Sequence, residues 1–214
     1  SEALDNAGWY KLRTSIEAAT VVSNGVTLQF VKEDGTASNT HIVETLSAPV
    51  KFPAVAGITY HFAFRAKSSN RGIAARPRVG FAGAFVYFDV TAGAAHDAGA
   101  GITNATATPL DNDTFLCEFD YAANATSAVA VLDFYLTSTP TGTTTSYNGD
   151  NTSGAFLGAI QVRRSTTSPT YLATTDFPWY AGINGRNVLV FDGSNDVLTS
   201  TATTADIFGA QAKT

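Results

Sequence analysis

Thr59 to Lys67 reads T-Y-H-F-A-F-R-A-K, and the reading of these nine positions decides the fold. Tyr60, Phe62, Phe64 and Ala66 alternate with Thr59, His61, Ala63, Arg65 and Lys67. That is the period-two pattern of a β-strand with one buried and one accessible face. On a helix the same aromatic positions would scatter around the axis instead of forming one stripe. Gly57 precedes the stretch, and Ser68, Ser69, Asn70 and Gly72 follow it, so both ends carry turn residues. The spacing predicts a central strand that places three rings in a core. Its polar face is the first place to look for a ligand.

On the N-terminal side, V-T-L-Q-F-V from Val26 to Val31 predicts a strand closed by the turn residues Glu33, Asp34 and Gly35. Trp9 lies in an extended segment, His41 to Leu46 reads as another strand, and Pro49 and Pro53 bracket a short edge piece. On the C-terminal side, Arg71, Arg76 and Arg78 fall in a Gly/Arg-rich connection. Strands are predicted at Gly83 to Val90, Thr114 to Tyr121, Ala128 to Ser138 and Gly154 to Arg164. The stretch from Ala94 to Asn112 is small and polar and is predicted as a surface loop, as is Thr139 to Ser153. About eight turn-punctuated strands without a helix make an all-β antiparallel β-sandwich, in its jelly-roll form.

The 214 residues suffice for one large all-β domain, or for one domain and part of a second. Hydrophobic residues at 44% support a core, while 14% charged residues is low for a cytosolic enzyme. A net charge of -5 with no basic cluster argues against nucleic acid. No apolar run approaches the roughly 20 residues that span a bilayer. No basic-then-apolar leader stands at Ser1. Cys117 is the single cysteine, so no internal disulfide forms; it shares the alternating face of Phe115, Phe119 and Tyr121 and reads as a core residue. Methionine is absent even at position 1, and the chain is expected to be cut from a longer one.

Four segments carry a family resemblance: S-E-A-L-D-N-A-G-W at the start, T-Y-H-F-A-F-R-A-K, V-Y-F-D-V-T-A-G, and S-Y-N-G-D-N-T-S-G-A-F-L-G-A-I-Q-V. Together they resemble a module of tailed-bacteriophage virion proteins (fibre, spike or decoration), itself similar to the jelly-roll carbohydrate-binding modules of secreted glycoside hydrolases. The resemblance covers residues 1–172. Where the family often carries a Trp-Tyr pair, this chain has Thr114 and Phe115. After a linker at 173–186, L-V-F-D-G-S-N-D-V-L resembles the opening strands of a concanavalin-like (laminin-G-like) lectin domain, of which residues 187–214 would be an incomplete start or an interaction tail. The resemblance implies a non-catalytic virion protein on the particle surface, outside the cell. It also implies other virion proteins as partners, a homo-oligomer such as a trimer, and a host-surface polysaccharide as ligand. The alternatives are a carbohydrate-binding module of a secreted bacterial enzyme or adhesin, and a purely structural capsid-stabilising module.

Glycan binding needs aromatic faces to stack on sugar C–H surfaces and planar polar side chains to hold hydroxyls. His61, Arg65, Tyr87, Asp133, Tyr135 and Gln161 are the candidate ligand residues. His61 with Arg65, Tyr87 with Asp89, Asp133 with Tyr135, and Gln161 with Arg163 are each an even number of residues apart and so share a sheet face. A polar face carrying His61, Arg65, Asp133 and Tyr135 together is the expected site; a solvated or inter-subunit face is the alternative. Trp9 and Trp179 are expected to be packing anchors. For catalysis, Asp111, Asp113, Glu118, Asp120 and Asp133 form no local motif, and His41, His61 and His96 lack metal-ligand spacing. No nucleophile elbow or phosphate loop is present, so no enzymatic role is expected. No cofactor is required by this reading. Calcium is the one metal considered, with Asp111, Asp113 and Asp150 in loops of suitable chemistry, against the reading that they bond their own turns.

Overall fold

The computed structural model describes residues 3–45 and 52–164. Among them the chain forms strands and no helix. In order these are β1 (Tyr10–Leu12), β2 (Thr14–Ser23), β3 (Val26–Glu33), β4 (Asn39–Thr40), β5 (Ile42–Glu44), β6 (Phe52–Ala54), β7 (Thr59–Ser69) and β8 (Ile73–Arg78). There follow β9 (Val86–Asp89), β10 (Ala94–His96), β11 (Ile102–Pro109), β12 (Phe115–Ala122), β13 (Ser127–Leu136), β14 (Ser146–Tyr147) and β15 (Gly154–Arg163).

The strand Thr59–Ser69 is central, as its alternation requires. It pairs with β12 on one side and β15 on the other, in a sheet ordered β11-β12-β7-β15-β3-β2. The second sheet runs β1-β5-β13-β8-β9-β10, with β6 also on β13. All strand pairings within the two sheets are antiparallel. Sequence neighbours often lie in different sheets, as in a jelly roll, and the two sheets pack face to face.

The inner faces supply one core. Phe62, Phe64, Phe119 and Phe134 are all buried in it. Phe62 stacks on Phe119 at 4.8 Å, and Phe64 meets Phe134 edge-on at 5.0 Å and Phe88 at 5.3 Å. Trp9 packs on Phe134. Cys117 lies in the same core, and burial pushes its thiol well above the usual range, so no thiolate nucleophile forms there. Glu33 is fully buried yet satisfied: its carboxylate accepts from Arg71 Nε (2.8 Å) and Nη2 (2.6 Å), Tyr147 Oη (2.6 Å) and Asp150 N (2.8 Å). This cluster ties β3 to the β7–β8 connection and to the loop before β15.

Two expectations are corrected, and one strand was not foreseen. Ala94 to Asn112 is not a loop: β10 and β11 lie within it. β11 is an edge strand whose small Thr and Ala side chains bury little; backbone pairing with β12, not apolar burial, holds it. The Arg71–Arg78 connection contains strand β8, whose Ala74 and Ala75 are fully buried between β13 and β9. β2 escaped the pattern because its register slips between Glu17 and Thr20, which breaks the alternation. Trp179, the linker at 173–186, the module boundary at 172 and the 187–214 piece with its β extension lie outside the described residues.

Candidate functional site

The register assigns an outward face to the six-stranded sheet. His61, Ala63 and Arg65 on β7 stand beside Asp120, Glu118 and Leu116 on β12, respectively. On β15, Phe156, Gly158, Gln161 and Arg163 stand beside Lys67, Arg65, Ala63 and His61. Phe156 and Gly158 are even-numbered, whereas Gln161 and Arg163 are odd. One extra residue between Gly158 and Gln161 changes the parity, with Ala159 at φ 52°. This β-bulge turns Gln161 and Arg163 outward; a regular strand would have pointed them into the core. A second bulge on β11, with Asn104 at φ 52°, lets Asn104 Nδ2 donate to Asp120 Oδ2 at 2.7 Å.

The outward face is sheltered at its centre. His61 is 6% exposed, its Nδ1 lies 2.8 Å from Asp120 Oδ1 and its Nε2 lies 3.1 Å from Glu118 Oε1. Arg163 Nη2 donates to Gln161 Oε1 at 3.0 Å, which fixes the orientation of the amide. Gln161 Nε2 is then a buried donor with no acceptor among the described residues. Such a group costs about 1–3 kcal/mol until an acceptor reaches it.

The two edges of this sheet meet across that face. Ser23 and Val26 pair around Asn24 and Gly25, whose φ values of 43° and 78° make the left-handed two-residue hairpin turn that Asn-Gly favours. The β2–β3 tip then touches the β11–β12 loop. Ser23 Oγ and Thr114 Oγ1 are 2.7 Å apart, Asn24 N donates to Asp111 Oδ1 at 2.7 Å, and Asn112 Nδ2 donates to Val22 O at 2.8 Å. Arg65, projecting outward from β7, donates to Ser23 O beneath this arch. Leu28 is fully buried there, although it faces away from the main core. Gly158 permits the close fit, since a Cβ would lie 3.0 Å from the Leu28 side chain. Beyond Arg65, in the register of Lys67, Phe156 and Phe30 form a ring pair at 5.1 Å.

Of the six candidates, His61, Arg65 and Gln161 share this face. Tyr87, Asp133 and Tyr135 do not: they face outward from the other sheet, so the expected joint face of His61, Arg65, Asp133 and Tyr135 is corrected. Alternation fixes a residue's side within a strand, but β7 and β13 belong to opposite layers. Asp133 is fully buried in an ion cluster, accepting from Arg76 Nη2 (2.8 Å) and from Arg78 Nε and Nη2, while Arg78 also reaches Glu44 (2.7 Å). Burial and the neighbouring Asp133 hold the Glu44 carboxyl above its usual range. Arg76 lies 4.8 Å over both Phe85 and Tyr135 and donates to the Tyr135 hydroxyl. Tyr135 is 4% exposed, and burial, with Asp133 beside it, pushes its phenol up to about 12. Tyr87 stacks on Phe85, and burial raises its phenol as well. This second face is a self-satisfied packing network.

The calcium candidates bond protein groups. Asp150 accepts from Ser153 N and Oγ and from Thr152 N and Oγ1, and these bonds hold its carboxyl well below the usual range. Asp111 belongs to the arch, and Asp113 lies 3.3 Å from Lys67 Nζ. No group of three or more His, Cys, Asp or Glu side chains is gathered to hold a metal among the described residues. Sequence reasoning missed Thr114 and Ser23 as parts of the site's frame; the Asn24-Gly25 pair between apolar runs was the available signal.

No protein-family model matches the chain, and no curated protein matches it. Among solved structures it is similar to the CBM22-1–GH10 modules of Clostridium thermocellum xylanase Xyn10B, solved with xylohexaose. That match has 14% identity and a TM-score of 0.42, and it covers 78% of this chain and 28% of that one. It is also similar to the CBM22-2 xylan-binding domain of Paenibacillus barcinonensis Xyn10C, at 17% identity and a TM-score of 0.42 over 74% of this chain and 92% of that one. A CBM4 structure matches at 12% identity and a TM-score of 0.35, over 72% of this chain and 84% of that one.

Proposed function

We propose that the chain is a non-catalytic carbohydrate-binding module whose ligand face is the outward side of the six-stranded sheet. The observation that carries this reading is the buried, acceptor-less Nε2 of Gln161, set among His61, Glu118 and Arg163 on a sheltered polar surface. A sugar hydroxyl both accepts and donates, which suits an amide donor beside carboxylate acceptors. Both nearby carboxylates are engaged by the imidazole of His61, an arrangement that favours binding over acid–base chemistry on a glycosidic bond.

Affinity per module is expected near the millimolar range, about -4 kcal/mol, because hydroxyls exchange water bonds for protein bonds at small net gain. The test is calorimetry and affinity electrophoresis against xylan, β-1,4-mannan, amylose and polygalacturonate. Gln161→Ala should lose retention with its melting temperature nearly unchanged. If the unaltered protein is retained by none of these four, the reading falls.

The setting on a virion, with other virion proteins, further copies of the chain and a host-surface polysaccharide as partners, is carried by the sequence resemblance. Multiple copies on one particle would turn millimolar contacts into useful attachment through avidity. Mass spectrometry of purified phage particles tests it, and a genomic position beside a hydrolase domain in the same reading frame would favour a secreted enzyme instead.

A further inference from the structure

We propose that the ligand compartment is blind, and that it takes the end of a glycan chain rather than a segment from its interior; this rests on the carbohydrate reading above. The arch is the first ground. Ser23, Asn24 and Val22 from one edge of the sheet are bonded to Thr114, Asp111 and Asn112 from near the other edge, across the face that carries Arg65. Between these edges lie β7, β15 and β3, so the connection closes over the sheet and does not merely border it. Ser23, Thr114 and Leu28 are each fully buried by it.

The arch separates two chemistries. His61, Glu118, Gln161 and Arg163 lie on one side of Arg65 in the register, and the Phe30–Phe156 pair on the other. An interior glycan segment must leave a site at both ends and draws much of its affinity from ring stacking. Among the described residues no such ring stands beside Gln161, and the arch crosses the face at Arg65. A terminal sugar needs only one exit. It also carries a hydroxyl that interior units spend in their linkage, and Gln161 Nε2 is a donor still in want of an acceptor.

The experiment uses the full chain with xylan, β-1,4-mannan, amylose and polygalacturonate, each intact and after partial hydrolysis to shorter chains. Protein bound per gram of polysaccharide is measured at saturation. A chain-end binder gains sites with the number of ends, so a fivefold reduction in chain length should give about fivefold more bound protein per gram. Constant capacity per gram would overturn the blind compartment while leaving carbohydrate binding intact. Absence of binding to all four polymers, intact or hydrolysed, would overturn both. As a second measurement, Ser23→Ala with Asn112→Ala removes two bonds of the arch. If that variant remains folded by melting, its capacity should become less dependent on chain length; an unchanged dependence would count against the arch as the closure.

Discussion

Phe64 and Tyr135 show how differently two buried rings hold this molecule. Phe64 sits in the main core between Phe88 and Phe134, and Phe64→Ala should cost roughly 3–5 kcal/mol in denaturant unfolding. A loss under about 1 kcal/mol would show that its strand is not central. Tyr135 lies on an outward face yet is 4% exposed, because Arg76 and Phe85 cover it. Its phenol is pushed up to about 12, above the ordinary value of about 10. A raised pKa in the folded state means that this stabilisation is complete below pH about 10 and is lost as pH climbs towards about 12. Unfolding measured across that window should therefore show a decline that is shallower in Tyr135→Phe, the remainder coming from Tyr87 and Tyr147, whose phenols burial also raises. An identical decline in the variant would assign the effect elsewhere.

Among the strands, β15 carries the decisive irregularity. Its bulge at Ala159 is what brings Gln161 and Arg163 to the surface beside His61. Deleting Ala159 should let β15 run regularly from Gly158 through Ile160 to Gln161, opposite Arg65, Phe64 and Ala63, with Gln161 and Arg163 still outward, so we expect a soluble protein that keeps the polar face. A deletion variant that is insoluble, or that melts far below the parent, would mean that the bulge does more than set parity. β7 was readable because four large or apolar groups alternate without interruption. β2 and β11 were not, since a bulge breaks the period in each, and Ile16 and Ile102, the apolar side chains each brings to the core, are too few to mark a face. The same limit applied to the site. Parity correctly paired His61 with Arg65 and Asp133 with Tyr135, but the sheet to which each strand belongs depends on pairing across the whole chain. The arch was legible only as the Asn24-Gly25 turn; its contact with Thr114 spans ninety-one positions, a separation that no local pattern encodes.

For the molecule as a whole, the two outward faces differ: one is closed by its own ion pairs and rings, and the other carries a sheltered polar surface around His61. Both depend on an order of strands that does not follow the order of synthesis. β15, last of the described strands, lies between β7 and β3, two strands made much earlier. Until Gly154–Arg163 has left the ribosome, β7 and β3 have no partner between them, and half of the sandwich exists only as separate hairpins with open edges. Folding must then wait for long-range pairing, which is intrinsically slow, and the nascent chain carries unpaired strand edges through that wait. The strand order that places β15 beside β7 and β3 therefore also leaves their edges open to other chains until the last described strand is made.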